Sequence, residues 1–199
     1  AGRRGTRNVI LCNDYGTQAP GLPQAETVSI PGLDYRGFRT VRSFEAASRK
    51  LGRRLESFLD RGNLPRPCCV VAHNVGLGKN PALTAAFARL ARTRSDLRWY
   101  VVIHDRAEEG RVDLLRQFWS LEQQGYRIWD DVYPDAEGLR YLSPNRRTVA
   151  LLCRAGLRAR SLLNSVRMSG PATVRKADRE ALGAWLARRA RRHGTRFHP

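Results

Sequence analysis

The chain has 199 residues, 42% of them hydrophobic and 8% aromatic, enough for one sizeable core or two small ones. Its 36 Lys and Arg stand against 18 Asp and Glu, a formal net charge of +18 that excludes an acidic surface and invites anionic partners. No apolar run approaches the ~20 residues that cross a bilayer, and the N-terminus has no apolar stretch of signal-peptide type, so a soluble, cytoplasmic chain is expected. It opens Ala1-Gly2 and its one methionine is Met168, so it reads as a piece of something longer.

Asn8 to Cys12 (NVILC) is a short apolar run of buried-strand type. A loop with Gly16, Pro20, Gly21 and Pro23 leads to a second strand, Thr27 to Ile30, closed by Pro31-Gly32. From Val41 the period changes. Val41, Phe44, Leu51, Leu55, Phe58 and Leu59 share one helical face, and Gly62-Asn63 supplies the stop. Cys68 to Ala72 (CCVVA) reads as a strand buried on both faces. Asn80 then suits an N-cap and Pro81 the first helical position, with Leu83, Phe87 and Leu90 as the inward stripe. Trp99 to Ile103 is the clearest strand, followed by a helix through Leu114, Leu115, Phe118, Trp119 and Leu121 that ends near Gly125. Leu139 to Leu142 is a short strand, Ser143-Pro144 repeats the cap-plus-proline signal, and Val149 and Leu152 carry a helix to Gly156. One more strand, Ser161 to Leu163, precedes a linker over Met168 to Thr173 and a last amphipathic helix, Ala177 to Arg192, with Leu182, Trp185 and Leu186 on one face.

This alternation predicts an α/β fold: a Rossmann-like three-layer domain over residues 1–170, with a mostly parallel sheet and helices on both faces. Residues 171–199 form a linker and a basic helix. The four cysteines, Cys12, Cys68, Cys69 and Cys153, lie in or beside apolar runs and read as buried, reduced thiols. No C-x-x-C spacing occurs, and two His with one Asp lack ligand spacing, so neither a metal nor a cofactor is expected.

Ligands of an open parallel sheet bind beyond the carboxyl ends of its strands. The polar residues placed there are Asn13 and Asp14, with Gly16 in the loop after them, His73 and Asn74, His104 and Asp105, and Ser143. Lys79, Arg106 and Arg146 follow close behind and are candidates to face phosphate or an anionic acceptor. Each has a plainer reading, as a loop cap or a solvated charge, but two His-plus-polar pairs on neighbouring strand ends favour a site. The G-L-G-K at 76–79 is no phosphate loop, because Asn80 follows Lys79 and the upstream glycine is missing. A nucleophile elbow G-x-S-x-G and a dinucleotide G-x-G-x-x-G are absent as well.

The stretches VVAHNVGLGKNPALTAAFARLA (70–91) and WYVVIHDRAEEGR (99–111) resemble the N-terminal domain of glycosyltransferases of the GT-B fold, family 4 type. In that group a strand ends in His-Asn, a proline-started helix follows, and the next strand delivers His-Asp. LRYLSPNRRTVALLCRAGL (139–157) and SLLNSV (161–166) extend the likeness, which covers about positions 8 to 170. The resemblance implies one half of a two-domain, nucleotide-sugar-dependent, retaining hexosyltransferase, inactive by itself, with this half on the acceptor side. It implies that His104 lies near the donor sugar at the reaction centre with Asp105 beside it. His73 and Asn74, with Asn13, Asp14 and Gly16, would face a sugar or lipid-linked acceptor. The donor half, with its Glu-x7-Glu segment, is not in the sequence, and the family's Gly-Gly loop is reduced to Gly16 and Gly21.

The alternative is a basic module without catalysis that meets an anionic membrane surface or nucleic acid. Nucleic acid is the poorer fit, since the basic helix of 175–192 offers only Trp185, on its apolar stripe.

Overall fold

The computed structural model describes residues 7–13, 25–62, 64, 66–106, 108–109 and 112–162. The predicted linker and final helix, and Asp14 and Gly16, lie outside the described residues. Along the chain come β1 (Asn8–Cys12), β2 (Ala25–Ser29), α1 (Val41–Arg61), β3 (Cys69–His73), a 3-10 turn (Val75–Leu77) and α2 (Pro81–Thr93). They are followed by β4 (Arg98–Val102), α3 (Val112–Gln123), α4 (Ile128–Val132), β5 (Leu139–Ser143), α5 (Arg146–Arg154) and β6 (Ala159–Ser161).

Local chemistry sets these boundaries. Thr40 caps α1, its side chain accepting the Ser43 N–H, and Gly62 ends the helix with its N–H on the Phe58 carbonyl. Asn80 caps α2 with Pro81 in the first turn, as its sequence predicts. The cap of α5 is Asn145, which accepts from the N–H of Arg147 and Thr148. Ser143-Pro144 therefore ends a strand and does not open the helix. The short α4 has no counterpart among the sequence expectations, and strands β2, β3, β4 and β6 lie one or two residues upstream or downstream of theirs.

Every described strand pair is parallel, in two sheets: β1-β2 and β3-β4-β5-β6. The α/β reading holds at this level. The strand order has a consequence for the layers. From β3 to β6 the chain always steps in the same direction, and right-handed crossovers then put every connecting helix on the same face. The core agrees. Trp99, Val101, Leu139 and Tyr141 join one cluster with Phe44 and Leu55 of α1, Phe87 of α2, Phe118 of α3, Ile128 of α4 and Leu152 of α5.

The other face carries the alternate residues. Adjacent rows there read Cys69 beside Arg98, then Val71, Tyr100 and Arg140, and Leu142 beside Arg160. Among the described residues no helix covers this face. Val71 is 53% exposed, so β3 is not the doubly buried strand its sequence predicts. The thiols are free, but Cys69 and Cys153 are exposed and only Cys12 and Cys68 are partly buried, which corrects the expectation of four buried cysteines.

Candidate functional site

The chain reverses direction once. It goes from β1 outward to β2, then returns through α1 to β3. At such a reversal of strand order in a parallel α/β arrangement, strand ends diverge and leave a crevice. A slot of about 800 Å³ opens there, lined by both strands, Val9 and Leu11 of β1 and Val71 and His73 of β3, over a floor that includes Phe58 and Phe87. Asn13, Tyr35 and His73 stand among the polar residues of its lining.

Asn74 organises the His73 end. It sits in the left-handed region at φ 52°, which asparagine tolerates better than most residues. From there its N–H donates to the Val102 carbonyl at 2.8 Å, and its side-chain Oδ1 accepts the N–H of His104, also at 2.8 Å. One residue thus staples the ends of β3 and β4. The stapled ends bring the imidazoles of His73 and His104 into a stack, with centroids 5.8 Å apart and planes at 12°. Partial burial, and then the neighbouring His104, push the His73 pKa below the ordinary 6.5, so that ring is neutral at neutral pH. Asp105 follows His104, half-buried.

The other predicted positions divide by what holds them. Asn13 closes the β1 end, its Oδ1 accepting the Gly32 N–H at 3.0 Å. The loop after β2 is bound to the β3–α2 turn by Asn80, whose side-chain N–H group donates to the carbonyls of Gly32 (2.9 Å) and Asp34 (2.6 Å). Lys79 leans on that loop, donating from Nζ to the Tyr35 hydroxyl at 2.5 Å. Arg146 opens α5 and is exposed.

Two of the predicted positions are buried. Arg106 is turned inward. It is only 9% exposed and pairs with Glu108 at 3.3 Å and with Glu109 at 2.5 Å. Glu108 in turn accepts from the Tyr133 hydroxyl at 2.9 and 3.1 Å, so the loop after His104-Asp105 is anchored by a buried ionic cluster. Ser143 has no exposed surface, and its Oγ accepts the Asn145 N–H at 3.1 Å, a turn-forming role.

Sequence reasoning missed Tyr35, Glu108 and Tyr133. Glu108 and Glu109 sit three residues or fewer from Arg106, a spacing that signals an ion cluster, but nothing local reveals that Tyr133 closes it from 25 residues away.

Chemically, the rim offers two stacked imidazoles beside an apolar slot: hydrogen-bonding groups able to orient hydroxyls, one of them held neutral. Among the described residues no group of three His, Cys, Asp or Glu is placed to hold a metal ion, and no helix is long and apolar enough to cross a membrane. No known protein family, curated protein or solved structure matches the chain.

Proposed function

We propose that this chain is the acceptor-side half of a nucleotide-sugar-dependent, retaining glycosyltransferase. The observation that carries the reading is the Asn74–His104 hydrogen bond, which holds two stacked histidines at the switch point of a parallel sheet. In this reading His104 hydrogen-bonds the donor sugar at the reaction centre, Asp105 stands beside it, and His73 and Arg146 face the acceptor. The rate enhancement is by positioning and by charge placed where the leaving group develops it, with no covalent protein nucleophile. Most donor contacts belong to a second Rossmann-like domain of the parent polypeptide, so the 199-residue chain alone is expected to turn over little or nothing.

The test is transfer from a panel of nucleotide sugars by the parent polypeptide, with and without His104→Ala. Loss of about 100-fold or more in kcat, with the circular dichroism unchanged, is the expected outcome. Undiminished transfer by the variant, or turnover by the isolated chain, overturns the reading.

A second reading rests on the uncovered sheet face. Arg98, Arg140 and Arg160 are exposed there, none forms an ion pair among the described residues, and strands β3 to β6 contain no acid. A basic face of this kind suits an anionic membrane surface. Binding to anionic vesicles that weakens steeply with salt would favour it, and a flat salt dependence counts against it.

A further inference from the structure

The slot between β1 and β3 is walled by backbone as well as by side chains. In a parallel ladder successive residues turn their N–H and C=O groups to opposite edges of the strand. The Ile30 N–H donates to the Cys12 carbonyl, so Asn8, Ile10 and Cys12 address β2, and Val9 and Leu11 address the slot. Across from them the Asn74 N–H donates to the Val102 carbonyl, so Ala72 addresses β4 while Cys69, Val71 and His73 address the slot. Among the described residues neither edge has a strand beside it, since β1 pairs only with β2 and β3 only with β4.

The two edges run the same way. The Arg7 side chain, before β1, donates to the carbonyl of Gly62, on the segment that leads into β3. Asn13, after β1, accepts from Gly32, which Asn80 ties to the turn that follows β3. The space between them has the size of one strand. Strands lie about 4.8 Å apart, rise about 3.3 Å per residue and stack in layers about 10 Å apart, so a strand residue fills about 160 Å³. The slot of about 800 Å³ then corresponds to about five residues, and β1 and β3 have five each. Its floor is the apolar bed on which a sheet strand packs, made by Leu55 and Phe58 of α1 and Leu83, Phe87 and Leu90 of α2.

These walls and this floor choose the class of occupant. A hydrocarbon chain would suit the floor and seal the amide edges away from water without partners, which is costly. An extended peptide suits both, with hydrogen bonds to each edge and alternate side chains on the floor. Its remaining side chains would look out over the open sheet face, where Arg98 stands in the row of Cys69 and Arg140 in the row of Val71, and where β3 to β6 contain no acid. On a chain of net charge +18, acidic residues complement those positions.

We propose that the slot receives an extended segment of a partner polypeptide, about five residues long, apolar at alternate positions and acidic between them, which joins β2 to β6 into one continuous sheet. The proposal goes beyond sugar transfer and does not depend on it, because it uses the backbone edges of β1 and β3 and not the imidazoles.

The experiment titrates the whole chain with an acetylated, amidated peptide of alternating Glu and Val, by calorimetry and by amide hydrogen exchange at near-physiological salt. Saturable one-to-one binding is expected, with exchange at Val9, Leu11, Val71 and His73 slowed together by about tenfold or more. The same peptide N-methylated at every Val, which can pair along one edge only, is expected to bind at least about tenfold more weakly. Val71→Pro removes a slot-facing donor and leaves the β3–β4 ladder intact, and a similar loss is expected, with a thermal melt to establish that the fold is kept. Equal binding of the methylated peptide would show attraction to charge alone and would overturn the proposal, as would no binding of either peptide. Protection of one edge without the other would mean addition to an open edge and not insertion. Slow exchange at all four amides in the chain alone would also overturn it: β1 and β3 have paired if the protection is independent of concentration, and a second copy fills the slot if it rises with concentration.

Discussion

Asn74 shows how one side chain can shape a site by holding two strand ends together. Its left-handed backbone and its hydrogen bond to the His104 N–H set the separation of the two imidazoles. The stack has a titration signature. Partial burial and the second ring both disfavour the imidazolium of His73, so its folded pKa lies below the unfolded value of about 6.5. The unfolded chain then binds more protons in the window between the two values. As pH falls through that window stability is lost, and above about 6.5 it is fully present. Proton NMR of the His73 ring is expected to give a pKa below 6.5, moving part of the way back in His104→Gln, because burial is the larger cause. A His73 pKa at or above 6.5 in the wild type would mean that the ring is neither buried nor held beside His104 as described.

At the scale of elements, the loop from β4 to α3 is held by buried charge. Arg106 bridges Glu108 and Glu109, and Tyr133 at the end of α4 completes the cluster. Burial raises the Glu108 pKa above 4.5, and Arg106 opposes that rise. Removing the arginine leaves the buried Glu108 carboxylate without a countercharge, its remaining partner the Tyr133 hydroxyl, which costs about 3–5 kcal/mol. Arg106→Met is therefore expected to lose stability of that order at neutral pH. The sign of the pH dependence follows. A carboxyl with a raised folded pKa binds more protons folded than unfolded, so stability falls as pH rises from about 4.5 through the folded value. The deficit of Arg106→Met accordingly shrinks on acidification, as Glu108 takes up a proton. Urea denaturation at pH 5 and pH 7.5 measures this, and a pH-independent deficit would assign the loss to packing.

For the whole molecule, the central fact is a sheet in two parts with open edges facing across a slot. Asn74 donates to Val102, and the alternation of a parallel ladder then points the N–H groups of Val71 and His73 away from β4, towards β1. Hydrogen exchange is expected to be faster at Val71 and His73 than at Val101 in the central strand β4, by at least about 100-fold. Equal protection would show that β1 and β3 pair in solution and close the slot.

Much of this architecture was legible in the residues. Helix α1 follows from the spacing of Phe44, Leu51, Leu55 and Leu59 and from its Gly62 stop, while its Thr40 cap came only with the structure. The α2 start follows from Asn80-Pro81, and the convergence of His73 and His104 follows from strand ends in a parallel sheet. These are consequences of periodicity and capping, which act over a few residues. Other features depend on partners distant in the chain. An apolar run does not say whether both its faces are covered, so β3 could be read as doubly buried although Val71 is exposed. A charge does not say whether it points to solvent or to an acid, and Arg106 turned inward because Glu108 and Tyr133 were there to receive it. A serine after a strand may cap or contact, and packing closed over Ser143. The sequence by itself determined most of the elements and, for α1 and α2, the residues that end or open them, because periodicity and capping are local. Only the tertiary structure decided which of those residues share a cavity, because burial and pairing belong to the assembled core.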